Sequence, residues 1–69
     1  METTGIFVGS FDPFTLGHHD IVCRALPLFS RLVIGVGVNE RKQYMLTAEQ
    51  RVEAIRRIYA HEPKIAVKT

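Results

Sequence analysis

The sequence predicts an α/β fold, a βαβαβ run that forms half of a doubly wound parallel sheet. Three observations carry this. Leu32 to Val38 (LVIGVGV) is apolar or glycine throughout, as in a strand covered on both faces in a parallel sheet. A segment of helical period lies on each side of that run, over about 17–29 and 47–61. The connections are short enough for each helix to be a crossover between neighbouring parallel strands.

Taken in order, Gly5 to Ser10 (GIFVGS) is a short apolar run ended by the turn signal Asp12-Pro13, and forms the first strand. From Gly17 the period becomes helical. Ile21, Val22, Ala25 and Leu28 or Phe29 share one face, and Asp20 and Arg24 form an i,i+4 ion pair off it. Pro27 falls in the last turns and kinks or ends that helix. The second strand follows, then a charged loop from Asn39 to Leu46. Thr47-Ala48-Glu49-Gln50 reads as a capping box with Thr47 as N-cap. The second helix places Ala48, Val52, Ile55 and Tyr59 on its packed face and Arg51, Glu53, Arg56 and Arg57 in solvent, until Glu62-Pro63 stops it. Lys64 to Thr69 (KIAVKT) is a third strand.

Successive right-handed crossovers in one direction put both helices on one face of the sheet. In the second strand Leu32, Ile34, Val36 and Val38 point one way and Val33, Gly35 and Gly37 the other, and neither set is polar. In the first, Phe7 opposes Ile6 and Val8. A sheet apolar on both sides with helices for only one lacks partners. Residues 1–69 are therefore expected to be the N-terminal half of a single longer domain, incomplete as it stands, or to have the open face covered by another chain.

Composition narrows the class. At 69 residues the chain allows one small domain, able to bury only ~60% of its unfolded surface. Hydrophobic residues at 46% and charged residues at 23% are globular values, far from those of disordered chains. The net charge of +2 is too mild for a nucleic-acid protein. It is unevenly spread: residues 1–38 have three acids against two arginines, and residues 39–69 have four acids against seven bases. That favours a small anionic ligand near the start of the second half. Cys23, the one cysteine, closes no disulfide within the chain, which fits a reducing cytoplasm. No run approaches the ~20 apolar residues of a membrane span, and the N-terminus lacks the basic start of a signal peptide.

The chemistry concentrates between the first strand and the first helix, in Gly9-Ser10-Phe11-Asp12-Pro13-Phe14-Thr15-Leu16-Gly17-His18. In open α/β sheets anions bind at this point, where free N–H groups and the helix dipole face the ligand. Gly9 and Gly17 let the backbone approach closely, Ser10 and Thr15 supply hydroxyls, and His18 supplies a ring nitrogen. The cluster suits a phosphate chain. It contains neither GxxxxGK[ST] nor GxGxxG, which excludes a P-loop and the dinucleotide fingerprint.

The stretch GSFDPFTLGHHDIV, with Thr15-x-Gly17-His18, Lys42 in the later loop and Thr47-x-Glu49-x-Arg51 at a helix start, resembles the TxGH/HxGH nucleotidylyltransferases. Within them it is similar to the phosphopantetheine adenylyltransferases, over the whole chain. Four residues of TxGH alone are a weak signal; with G-S/T-F-D-P before them and Lys42 after them the signal is strong. Serine stands at position 10 where that family more often has threonine, which keeps the hydroxyl. The resemblance implies a Rossmann-like nucleotidylyltransferase fold and adenylyl transfer from ATP to 4′-phosphopantetheine by direct in-line attack. It implies His18, Lys42 and Ser10 as catalytic residues, with His18 on the ATP phosphates and Ser10 and Lys42 on the phosphate of phosphopantetheine. Gly9, Ser10, Phe11, Thr15, Gly17 and His18 would contact ATP. It further implies Mg²⁺ bridging the ATP phosphates with few protein ligands, a cytoplasmic homo-oligomer, a hexamer in the family, and further nucleotide-binding motifs in a C-terminal half.

Plainer readings stand beside these. His18 can be a capping histidine, Lys42 a surface charge, and Ser10 a turn cap; Asp12 before Pro13 reads equally as a turn former and a ligand contact. His19 and His61 read as structural or incidental and Cys23 as a small core thiol. The alternatives in function are a non-catalytic nucleotide- or phosphate-binding fragment, a nicotinate-mononucleotide adenylyltransferase or a cytidylyltransferase. The 69-residue chain by itself is expected to be inactive.

Overall fold

The computed structural model describes residues 2–69. The chain runs β1 (Thr4–Gly9), α1 (Leu16–Ala25), a 3₁₀ turn (Leu26–Leu28), β2 (Arg31–Val36), α2 (Ala48–Ile58) and β3 (Ile65–Lys68). The three strands are parallel in the order β1-β2-β3. Register places Phe7 beside Ile34 and Ile34 beside Val67. This is the expected βαβαβ half-fold, with β2 central.

Register also decides what each face carries. Gly5, Phe7 and Gly9 align with Leu32, Ile34 and Val36, and Ile65 and Val67 continue the same rows. Val22 of α1 and Val52 and Ile55 of α2 join Leu32, Ile34, Val36 and Val67 in one core, so both helices cover this face. Truncating Ile34 or Ile55, both fully buried, to alanine costs about 2–5 kcal/mol by the usual cavity penalty. The opposite face is bare. Ile6 is 72% exposed and Val8 65%, with Val33 and Ala66 in register beside Ile6. The apolar face left without helices is thus that of Ile6 and Val8, while Phe7 lies on the covered side.

Both helix starts follow from local chemistry. At α2, Gln50 N–H donates to Thr47 Oγ1 at 3.0 Å and Thr47 N–H donates to Gln50 Oε1 at 2.9 Å, the expected capping box. α1 begins after Thr15 and stops at Ala25, four residues before the expected end. Pro27 has no N–H to continue the α ladder and instead sits in the first positions of the 3₁₀ turn. The apolar stripe is accordingly narrower than its period suggests: Val22 is buried, whereas Ile21 and Leu28 are exposed. β2 likewise ends at Val36 rather than Val38; Gly37 N–H still donates to the Gly9 carbonyl at 2.8 Å, but its own carbonyl accepts a side chain of α2. α2 ends at Ile58 rather than His61; Glu62 N–H closes a turn onto the Tyr59 carbonyl at 3.0 Å.

One glycine is required by packing. A Cβ at Gly5 would lie 2.6 Å from the Phe29 ring, so β1 must be bare there for Phe29 to cover its start.

Three side chains depart from expectation. Cys23 is exposed rather than in the core, because it follows Val22 off the buried stripe. Arg56 is not purely solvated: its Nη2 donates to the Val67 carbonyl at 2.9 Å, tying α2 to β3. Arg51, expected on the solvated face, is 2% exposed.

Candidate active site

The segment from Gly9 to His18 lies at the carboxyl end of β1 and the amino end of α1, where an open parallel sheet presents anion-binding N–H groups. Its path is set by two departures from regular backbone: Phe11 has a φ of +50°, and the Asp12-Pro13 peptide is cis. The left-handed conformation disfavours a bulky side chain by about 1–2 kcal/mol. Burial offsets this. The Phe11 ring is buried, edge-on to Phe7 at 5.1 Å and to His18 at 5.0 Å.

Thr15 and His18 cap one another. His18 N–H points at Thr15 Oγ1 at 3.4 Å, and Thr15 N–H donates to His18 Nδ1 at 2.9 Å. A backbone N–H can only donate, so Nδ1 accepts and the ring proton sits on Nε2. The imidazole is further held between Phe11 and Phe14, at 5.0 and 5.2 Å. The result is an oriented Nε2–H donor at the first turn of a helix, suited to a phosphate oxygen. Gly17 is exposed in the same turn. A Cβ there would meet only Thr15 Oγ1 at 3.6 Å, so nothing within the chain fills the space over that backbone.

Arg51 organises the other side. From α2 its Nη1 donates to the carbonyls of Ser10 at 2.8 Å and Gly37 at 3.0 Å, joining the ends of β1 and β2. Its Nε donates to the carbonyls of Leu46 and Thr47 at 3.2 and 3.3 Å, and its guanidinium lies 4.1 Å from the centre of the Tyr44 ring. A buried cation is tolerated only when its donors are used. Among the described residues no buried side-chain nitrogen or oxygen lacks a partner.

Asp12 supplies a second clamp. Its carboxylate accepts the N–H groups of Met45 at 2.6 Å and Leu46 at 2.9 Å, fastening the loop before α2 to the loop after β1. Hydrogen bonds to a charged acceptor contribute about 1.5–3 kcal/mol each. Neither sequence reading of Asp12, turn former or ligand contact, covers this fastening of one loop to another.

Gly9, Ser10, Gly37, Asn39 and Tyr44, with the exposed apolar side chains of Val8 and Val38, line an open cleft of about 270 Å³ at the ends of β1 and β2. That is just below the usual range of small-molecule pockets, ~300–1,000 Å³, and the cleft is open to solvent. Phe11 bridges it to His18, and Lys42 approaches it from the loop, its Nζ 5.7 Å from the Tyr44 ring. The hollow along α2, between Glu49, Glu53 and Arg57, holds none of the candidate residues. The structure thus gathers Gly9 and Ser10 in one cleft and attaches His18 and Lys42 to it through aromatic rings. Neither His18 nor Lys42 lines the cleft itself.

Sequence reading missed Arg51, Tyr44 and the fastening role of Asp12. A signal for Arg51 was present: it stands three residues after Ala48 and four before Ile55, on the packed stripe of α2. His19 and Tyr59 also pair, with Nδ1 and the hydroxyl 2.8 Å apart. Burial, helped by Cys23, pushes the Tyr59 hydroxyl up to about 12.

Residues 6–69 match the model of the cytidylyltransferase-like family. A phosphopantetheine adenylyltransferase of Flavobacterium johnsoniae is 52% identical over 64 residues, covering 93% of this chain and 42% of the relative. Those of Porphyromonas gingivalis and Bacteroides fragilis are 52% and 48% identical, covering 99% and 93% of this chain and 44% and 43% of the relatives. The chain therefore spans less than half the length of these curated relatives. With a parallel βαβαβ sheet, an oriented histidine at the first helix and a family match over nearly its whole length, the chain belongs to the cytidylyltransferase-like family.

Proposed function

We propose that this chain is the phosphate-handling N-terminal half of an enzyme that transfers AMP from ATP to 4′-phosphopantetheine. The relatives' names support the substrates. The reciprocal Thr15–His18 cap is the single observation that carries the chemistry, because it aims a neutral N–H donor outward from a helix start.

In this reading a phosphate oxygen of phosphopantetheine attacks the α-phosphorus of ATP. The new P–O bond forms as the bond to the bridging oxygen breaks and pyrophosphate leaves. No covalent enzyme intermediate is needed, so the protein contributes position and charge stabilisation. His18 donates Nε2–H to the charge growing on the α-phosphoryl oxygens. Thr15 fixes that ring, Gly17 leaves room for the phosphates, and the backbone from Gly9 to Phe11 lines the pocket. The Ser10 hydroxyl and the Lys42 ammonium hold the attacking phosphate.

Mg²⁺ would supply charge neutralisation on the ATP phosphates. The residues fit an ion held by the nucleotide, since the one carboxylate of the β1–α1 loop, Asp12, is engaged by two backbone N–H groups. The exposed Cys23 thiol supports a reducing, cytoplasmic setting, and the bare face of Ile6 and Val8 supports an oligomer or a larger domain. No helix among the described residues is long and apolar enough to cross a membrane.

A coupled pyrophosphate-release assay on the full-length protein tests the reading. ATP with 4′-phosphopantetheine should be the preferred pair, and a preference for nicotinate mononucleotide as acceptor, or for CTP as donor, would sink it.

A further inference from the structure

A lysine ammonium on a surface loop has a long flexible stem and no fixed position of its own. Lys42 is exposed on such a loop. Tyr44, two residues on, is anchored. Its hydroxyl accepts the N–H of Asn39 at 2.8 Å, and its ring lies against the Arg51 guanidinium at 4.1 Å. Arg51 is immobilised in turn by the Ser10 and Gly37 carbonyls. The ring is therefore fastened to the ends of β1 and β2. It forms a wall of the Ser10 cleft, and the Lys42 ammonium lies 5.7 Å from its centre, within cation–π range.

The charges around this ring are unbalanced. Among the described residues the ion pairs are Asp20–Arg24 and Glu53–Arg57, and neither Lys42 nor Arg51 has a carboxylate partner. Two cations thus share one aromatic ring at the edge of the cleft; the chain satisfies Arg51 with backbone carbonyls and gives Lys42 no anionic partner.

We infer that Tyr44 is a positioning residue which, stacked on Arg51, holds the Lys42 ammonium beside the Ser10 cleft to receive the phosphate monoester of the acceptor substrate. The inference rests on the function proposed above and adds to it a residue that acts through Lys42.

The test is calorimetric titration of 4′-phosphopantetheine, without ATP, into full-length wild type, Y44F, Y44A, K42A and the K42A/Y44A double variant. Parallel titrations use ATP. Y44A should weaken phosphopantetheine roughly tenfold and ATP less than about twofold. Y44F keeps the ring and its stack on Arg51 but loses the Asn39 anchor, so its loss should fall between wild type and Y44A, which separates ring stacking from loop collapse. In the K42A background Y44A should cost nothing further, since the two residues act as one unit. An equal Y44A loss with and without Lys42, an equal loss for ATP, or a Y44F as weak as Y44A would each overturn the inference, as would a wild type that does not bind the phosphate monoester. A wild type that binds it but releases no pyrophosphate with ATP would remove the transfer reading and leave the stack to be judged by the same cycle.

Discussion

Thr15 and His18 are each the other's hydrogen-bond partner: the threonine backbone donates to His18 Nδ1 at 2.9 Å while the threonine hydroxyl faces the His18 N–H at 3.4 Å. A capping box with histidine at its third helical position joins helix initiation to the orientation of a donor. The two functions are separable by mutation. His18→Ala should lower turnover about 10²–10³-fold, the loss typical of one donor to developing charge. Its stability cost should stay near ~1 kcal/mol. Thr15→Ala should cost a similar ~1 kcal/mol of stability with a smaller loss of turnover, because the backbone N–H still holds Nδ1. Pyrophosphate release and thermal melts of the full-length variants measure both. A His18→Ala variant with near wild-type turnover would remove the residue from the mechanism.

Arg51→Met should be severely destabilising. It strips side-chain donors from the carbonyls of Ser10, Gly37 and Leu46, while Thr47 keeps the backbone N–H of residue 51, and an unsatisfied buried polar group costs about 1–3 kcal/mol. Loss of several kcal/mol is expected. Arg57→Ala, by contrast, breaks only an exposed i,i+4 pair with Glu53 and should change stability by about 0.5 kcal/mol or less. Urea midpoints of the two variants give the comparison, and similar values for both would contradict the buried role of Arg51.

Tyr59 predicts a pH dependence. Its hydroxyl is pushed up to about 12 in the folded chain, against ~10 when unfolded. Between those values the unfolded chain gives up the proton first, so stability should be steady below pH ~10 and fall as the pH rises towards 12. Tyr59→Phe should remove that part of the decline. Denaturant unfolding across pH 8–12 for wild type and variant reads it, and identical slopes would show that Tyr59 does not titrate in this way.

The bare sheet face gives a prediction for the 69-residue chain expressed by itself. Ile6, Val8, Val33 and Ala66 form an apolar patch on the side opposite both helices. Sedimentation should show self-association, and a dye that fluoresces on apolar surface should bind. Ile6→Lys with Val8→Lys should suppress both. A compact, dye-silent wild-type monomer would mean that this face needs no cover.

The order of elements, the N-cap of α2 and the site segment Gly9–His18 were legible in the sequence, because each depends on neighbours no more than a few residues apart. A capping box needs only positions i and i+3; a buried parallel strand needs only an uninterrupted apolar run. The fates of Arg51, Asp12 and Tyr44 were decided by tertiary structure. Arg51 reaches Ser10 across 41 positions and Gly37 across 14, and Asp12 reaches Leu46 across 34. The carbonyls at the ends of β1 and β2 and the N–H groups of the following loop become neighbours only when parallel strands align. An arginine that looks solvated from its charge is drawn inward there, because five donors in a rigid fork can satisfy acceptors that no local partner reaches.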